Sequence, residues 1–198
     1  MKITSIEFIK SVVHVKQLPE LRLPEIAFAG RSNVGKSSLI NCLLNHKGIA
    51  KISSKPGKTR ALNYFMINKL FYMVDLPGYG FAKVPREEKE NWRKLIESYF
   101  EQSDMLKAVV IITDSRHELS KLDLEMIEWV HHLEIKSIIV STKADKLSGN
   151  KLTNQLTGNQ KQVRAIVPDA FLLPFSSVDR VGRKELWSKI DNLILGRK

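Results

Sequence analysis

Residues Gly30-Arg31-Ser32-Asn33-Val34-Gly35-Lys36-Ser37 match the pattern GxxxxGK[ST]. Glycines let a backbone wrap closely around phosphate oxygens and aim its N–H groups inward. A helix that starts here adds a partial positive charge at its N-terminus. Lys36 then bridges the β- and γ-phosphates of a nucleotide, the Ser37 hydroxyl ligates Mg²⁺, and Ser38 continues the first turn. The plainer alternative is a Gly-rich turn with a chance lysine. Context argues against it, because an apolar run over residues 26–29 leads in and a helical pattern over 38–44 leads out.

Asp75-Leu76-Pro77-Gly78 is a DxxG pattern at the end of a second apolar run. An aspartate there can hold Mg²⁺ through a water, and the Gly78 N–H can meet a γ-phosphate that exists only in the triphosphate. A strand ending in a Pro-Gly turn would look the same. Between the two patterns lies Gly57-Lys58-Thr59-Arg60-Ala61, where Thr59 is the candidate for a second hydroxyl on Mg²⁺. Lys36, Thr59 and Gly78 are thus the groups expected to act on the transferred phosphate, and Ser37, Thr59 and Asp75 those expected to hold the metal.

Thr142-Lys143-Ala144-Asp145 follows a third apolar run. Guanine presents two adjacent donors, N1–H and the 2-amino group, and one carboxylate accepts both. Adenine would leave Asp145 facing an acceptor. The Lys143 stem can pack on the base, and the Ser176-Ser177-Val178 segment can give a backbone N–H to the guanine carbonyl. Alone, this tetrapeptide also reads as a helix N-cap with Thr142 or Asp145 capping. As one of an ordered set of strand-end patterns it reads as a base site, since such loops converge on one crevice.

Positioning these groups requires strands, and short apolar runs at 25–29, 64–67, 71–74, 108–113, 137–141 and 171–175 supply them. Pro174 has no N–H, so its strand belongs at an edge or ends early. Helical spacing recurs in Trp92, Leu95, Ile96, Tyr99 and Phe100, in Met126, Ile127 and Val130, and in Leu186, Trp187, Ile190, Leu193 and Ile194. Strands alternating with helices imply an α/β fold with a mostly parallel central sheet flanked by helices. No repeat or linker divides the chain, so residues 1–198 read as one domain, with 1–22 as an extension packing on it. Residues 46–60 hold five Lys/Arg and no acid. They read as a solvated basic loop or as a mobile segment that meets phosphate or RNA.

Composition narrows the partners. Lys and Arg number 32 against 21 Asp and Glu, a net charge of +11 that favours polyanions without choosing among RNA, DNA and acidic membranes. The lone Cys42 excludes an internal disulfide framework and suits a reducing cytosol. No run is apolar enough to span a membrane and the N-terminus has no signal-peptide pattern, so a cytoplasmic protein is expected. A monomer is a separate expectation.

Together, GRSNVGKSSLIN, KPGKTR, DLPGYGFAKV, TKAD and SSVDRVG resemble the EngB (YsxC/YihA) family of bacterial GTPases, within the Era-like, translation-factor class. The likeness covers nearly the whole chain. Thr142 stands where most relatives of the wider class have Asn, and that variant is the form this family shows. The resemblance implies a three-layer P-loop GTPase fold, GTP and GDP as ligands, and Mg²⁺ dependence. It also implies roles in septation and in assembly of the large ribosomal subunit, with rRNA and ribosomal proteins as partners. Related GTPases with Asn at the Asn33 position hold K⁺ where others insert an arginine finger. The water-orienting glutamine that often follows DxxG is here Tyr79, so slow hydrolysis is expected without a partner. Two rivals stand beside the enzymatic switch: a ribosome- or RNA-binding module with GTP as a structural ligand, and a P-loop ATPase, against which Asp145 argues.

Overall fold

Alternation along the central strands decides where the layers lie. In β2 (Glu25–Gly30) Ile26 and Phe28 join one apolar cluster, while Ala27 and Ala29 join the other. Both faces are therefore buried, the condition under which parallel strands read as continuous apolar runs. The structure, a computed structural model, describes residues 1–46, 48–49, 61–80 and 86–196. The expected phosphate-facing segment with Gly57, Lys58, Thr59 and Arg60 lies outside the described residues, as do residues 81–84 of the DLPGYGFAKV run.

Among the described residues seven strands form one sheet. The others are β1 (Ile6–Val12), β3 (Leu62–Ile67), β4 (Phe71–Asp75), β5 (Leu106–Asp114), β6 (Ser137–Thr142) and β7 (Leu172–Pro174). Their order is β1-β3-β4-β2-β5-β6-β7, parallel from β4 through β7 and antiparallel at β1–β3 and β3–β4. Pro174 is the last residue of an edge strand, where its missing N–H costs nothing. The mostly parallel sheet expected from the alternating pattern is present.

Helices α1 (Lys36–Leu44) and α5 (Arg183–Leu195) cover one face, through Leu39, Ile40, Leu43, Leu186, Trp187 and Ile190. Helices α2 (Arg86–Gln102), α3 (Lys121–His132) and α4 (Gly149–Ile166) cover the other, through Ile96, Tyr99, Ile127, Val130 and Val163. Each such buried aliphatic or aromatic side chain contributes roughly 1.5–3 kcal/mol. Arg183 of α5 also donates to the Cys42 and Leu43 carbonyls at 2.8 and 2.9 Å, and Trp187 Nε1 donates to Leu43 at 3.1 Å. The last carbonyls of α1 are thus satisfied from α5, which fixes the helix that begins at the phosphate loop. At the opposite end of β2, the buried Glu25 carboxylate accepts from Tyr99 at 2.8 Å and Ser103 at 2.9 Å. Burial pushes its pKa up against those hydrogen bonds.

Two elements were not foreseen. Strand β1 alternates weakly and keeps Glu7, Phe8 and Ser11 exposed, as an edge strand can. Helix α4 fully buries only Asn159 and Val163, packs Leu156 and Ile166 partly buried against the same core, and is rich in Lys, Thr, Asn and Gln elsewhere. Polar bonds also seat it: the Gln160 amide donates to Ala170 and accepts from Leu172 N–H, both at 2.8 Å, clasping the edge strand β7. Among the described residues no helix is long and apolar enough to cross a membrane.

Candidate nucleotide site

Because β4, β2, β5 and β6 run parallel, their C-terminal ends bring Asp75, Gly30, Asp114 and Thr142 to one edge of the sheet. The loop after β2 turns through Asn33 (φ 66°) and Gly35 (φ 102°) before α1 starts at Lys36. Glycine at 35 answers two demands. Its backbone is left-handed, and a Cβ there would stand 3.3 Å from the Thr142 hydroxyl. Ser37 is half-buried and Ser38 exposed in the first turn of α1.

The DxxG segment lies directly on this loop. Leu76 N–H donates to Phe28 at 3.0 Å, Tyr79 N–H to Gly30 at 3.3 Å, and Ser32 N–H returns to Tyr79 at 3.0 Å. A Cβ on Gly78 would meet the Ser32 hydroxyl at 3.3 Å, so the close approach needs glycine. The Pro77 carbonyl is held by Trp92 Nε1 of α2 at 3.1 Å. Lys36 Nζ reaches the buried Asp75 carboxylate and pairs with it. Ala61, at the near end of the undescribed segment, is buried beside this strand end.

The TKAD segment is clasped to the same loop from the other side. Thr142, 2% exposed, sets its hydroxyl against the Val34 carbonyl and 2.9 Å from the Thr113 carbonyl. Lys143, itself at φ 61°, reaches Asn33 O at 2.6 Å and Asp114 Oδ2 at 2.8 Å. Burial alone would raise the Asp114 pKa, but hydrogen bonds from Arg116 and Lys143 outweigh it and hold the carboxyl well below the usual range. Ala144 N–H donates to Phe175 at 3.1 Å, joining this turn to β7. Asp145 accepts from the Ser176 hydroxyl at 2.9 Å and lies 3.2 Å from Lys146 Nζ. The little burial it has would raise its pKa; these two partners lower it, keeping it ionised and acceptor-only. Ser176 Oγ is also the acceptor for Val178 N–H at 3.2 Å, which leaves Ser177 as the free N–H of the Ser176-Ser177-Val178 segment.

Arg31 behaves otherwise than the sequence suggested, and Asp123 and Asp114 were missed. Arg31, expected among the phosphate groups, turns its guanidinium to Asp123 of α3 at 3.0 and 3.1 Å. Asp123 is fully buried, also accepts from Tyr79 Oη at 3.3 Å, and forms a reciprocal cap with Ser120. One carboxylate thus ties the phosphate loop, the DxxG segment and α3. Asp114 was missed although it is the acid ending the apolar run at 108–113, the one local signal that could have found it. Asn33 is exposed, with its carbonyl taken by Lys143.

Glycines where a Cβ would crowd, a buried Ser32 hydroxyl with no partner and a paired Lys36 form a cradle for phosphate oxygens. Ser37 and Asp75 are hard oxygen donors. No group of three His, Cys, Asp or Glu able to hold a metal occurs among the described residues. That donor set fits Mg²⁺, which keeps waters and phosphate oxygens and needs few protein ligands.

This fold and this crevice define a P-loop GTPase. A family model described as "50S ribosome-binding GTPase" matches residues 25–143. A protein of Oceanobacillus iheyensis named probable GTP-binding protein EngB is 45% identical over 98% of this chain and 99% of its own. The chain belongs to the EngB family of GTP-binding proteins. A crystal structure of a probable GTP-binding protein engB shares the fold, with TM-score 0.70 and 24% identity over 87% of this chain and all of that one. So does Era in complex with MgGDPNP and nucleotides 1506–1542 of 16S ribosomal RNA, with TM-score 0.63 and 22% identity over 86% of this chain and 56% of that one.

Removing the Asp123 carboxylate leaves Arg31 and Tyr79 without their shared partner and removes the α3 cap. Asp123→Ala is expected to cost about 3 kcal/mol of unfolding free energy in urea. A loss below about 1 kcal/mol would mean that this node is incidental.

Proposed function

We propose that the chain is a guanine-nucleotide switch that hydrolyses GTP slowly by itself and acts in large ribosomal subunit assembly. The observation that carries this reading is the double clasp of Thr142 and Lys143 on the Val34 and Asn33 carbonyls, which brings a base-reading carboxylate and a phosphate loop to one crevice. On this reading Asp145 accepts from guanine N1–H and the 2-amino group, the Lys143 stem lies on the ring, and Ser177 N–H meets the guanine carbonyl. Lys36 exchanges Asp75 for phosphate oxygens. The freed Asp75, with Ser37 and Thr59, would hold Mg²⁺. When bound, that ion neutralises charge on the β- and γ-phosphate oxygens. Gly78 N–H answers to the γ-phosphate and so reports which nucleotide is present. A K⁺ ion beside Asn33 belongs to the same reading.

The ribosomal part rests on the family description as 50S ribosome-binding and on a net charge of +11 that favours an RNA-rich partner. A role in cell division and septation follows the family resemblance. Slow hydrolysis has a structural reason. Tyr79 is 5% exposed, tilted against Trp92 with ring centroids 6.1 Å apart and hydrogen-bonded to Asp123, and burial foremost, then Asp123, pushes its phenol pKa far up. Such a phenol does not orient an attacking water as a glutamine does. The same observation favours the second reading, a ribosome-binding module in which GTP is mainly a structural ligand.

Hydrolysis measured with and without large ribosomal subunits separates the two. A switch turns over GTP alone at roughly 10⁻⁴ to 10⁻² s⁻¹, runs faster in KCl than in NaCl, and accelerates when subunits are added. Fast turnover alone contradicts the switch; no acceleration by subunits favours the module. The base assignment has its own test. Asp145→Asn replaces an acceptor by a group that also donates, so competition against a fluorescent GDP should show preference moving from guanine to xanthine nucleotides. Unchanged guanine preference would remove Asp145 from the base.

A further inference from the structure

Helix α4 carries a polar stripe, bordering its core-facing side, that the crevice does not use. Residues 146–168 contain no acid and carry Lys146, Lys151, Lys161 and Arg164. Lys151, Lys161 and Arg164 make no ion pair among the described residues. Lys151, Asn154, Gln155, Gly158, Asn159 and Gln162 follow helical spacing and form one polar stripe. Across from them stand Arg116 and Glu118, and between the two sides lies a groove of about 510 Å³.

Two details indicate that this groove receives something. Gln162 Oε1 is buried there with no hydrogen-bond partner, although Asn159 and Gln155 are partly committed: Asn159 Nδ2 donates to His117 O at 3.0 Å, and Gln155 Nε2 to Asn159 Oδ1 at 3.3 Å. An orphaned buried acceptor is costly unless a partner supplies the donor. The second detail is Gly158. It sits mid-helix without positive φ, and a Cβ built on it touches nothing within 4 Å. Neither backbone strain nor packing requires glycine there, and glycine is among the weakest helix formers. Its effect is to leave the helix backbone bare at the groove.

We propose that this groove is the docking site for a single-stranded segment of RNA. The inference rests on the reading above that the chain works on the large ribosomal subunit. Lys151 is the α4 cation on the groove wall and suits a phosphate, and side-chain amides suit base edges, which single strands expose and duplexes hide. Gly158 lets the strand lie against the helix. Glu118 on the rim opposes phosphate and selects an exocyclic amino group in its place. The groove adjoins the crevice through one residue: Arg116 on its wall holds Asp114 at 2.8 Å, and Asp114 holds Lys143 of the base loop at 2.8 Å. RNA seated here is therefore linked to the base loop through Arg116 and Asp114.

The test uses the full chain and a short fluorescein-labelled single-stranded RNA, read by anisotropy, with a duplex of the same sequence and a poly-glutamate peptide as competitors. Gly158→Ala raises Tm by about 2–4 °C, because the substitution favours the helix. Gly158→Gln fills the groove and weakens single-strand binding about tenfold, with GDP affinity unchanged. Lys151→Gln lowers the salt dependence of binding by about 0.7. Single-strand binding by Gly158→Gln equal to wild type overturns the proposal, as does displacement by duplex or poly-glutamate as readily as by unlabelled single strand. Sedimentation of wild type with large subunits keeps the two readings apart. Wild-type binding that survives Gly158→Gln sinks this groove alone, whereas no binding by wild type sinks the ribosomal reading.

Discussion

A single hydroxyl holds the account together. Thr142 lies almost wholly out of solvent, with its Oγ1 against the Val34 carbonyl and near the Thr113 carbonyl. Those two carbonyls belong to the phosphate loop and to β5, so one proton donor on β6 spans three strand ends. Lys143 adds a second strap to the next carbonyl of the loop, that of Asn33. On this side of the loop these straps add to its own short-range bond, Val34 N–H to Arg31 O at 3.3 Å. Thr142 is a short β-branched side chain, and β6 delivers its Cβ close enough for the hydroxyl to reach.

A second constraint acts on the opposite side of the loop. Asp123 receives Arg31 and Tyr79 while capping α3, and Trp92 of α2 holds the Pro77 carbonyl. The segment expected to sense the γ-phosphate is therefore attached at its first carbonyls to α2 and at its phenol to α3. Any nucleotide-dependent shift of Gly78 has two helices to move. That attachment gives a local change in phosphate contacts a route to the surface, in the manner of bistable elements elsewhere. It also explains why Arg31, a cation in a phosphate loop, is not aimed at phosphate.

Much of this was legible beforehand because it follows from local rules. Buried parallel strands announce themselves as apolar runs, and Gly30, Gly35, Lys36, Asp75 and Asp145 sit at strand ends with fixed spacing. What was hidden depends on partners far away in sequence. Arg31 and Asp123 are 92 residues apart, and nothing near either one indicates the other. Strand β1 is defined by pairing with β3 and shows no strong period of its own, and the amide bonds from helix α4 to β7 join residues that no local pattern links. Val178 was as good a candidate as Ser177 for the base N–H until the Ser176 hydroxyl took one of them.

The central claim is that the Thr142 hydroxyl keeps the base loop and the phosphate loop in one frame. Thr142→Val keeps the shape and removes the one O–H donor that the Val34 and Thr113 carbonyls share, whereas Thr142→Ser keeps the hydroxyl. Equilibrium binding of a fluorescent GDP in the presence of Mg²⁺ compares them. The account predicts a loss of about tenfold or more for Thr142→Val, the cost of an unmade buried hydrogen bond, and little change for Thr142→Ser. Wild-type GDP affinity in Thr142→Val would contradict it.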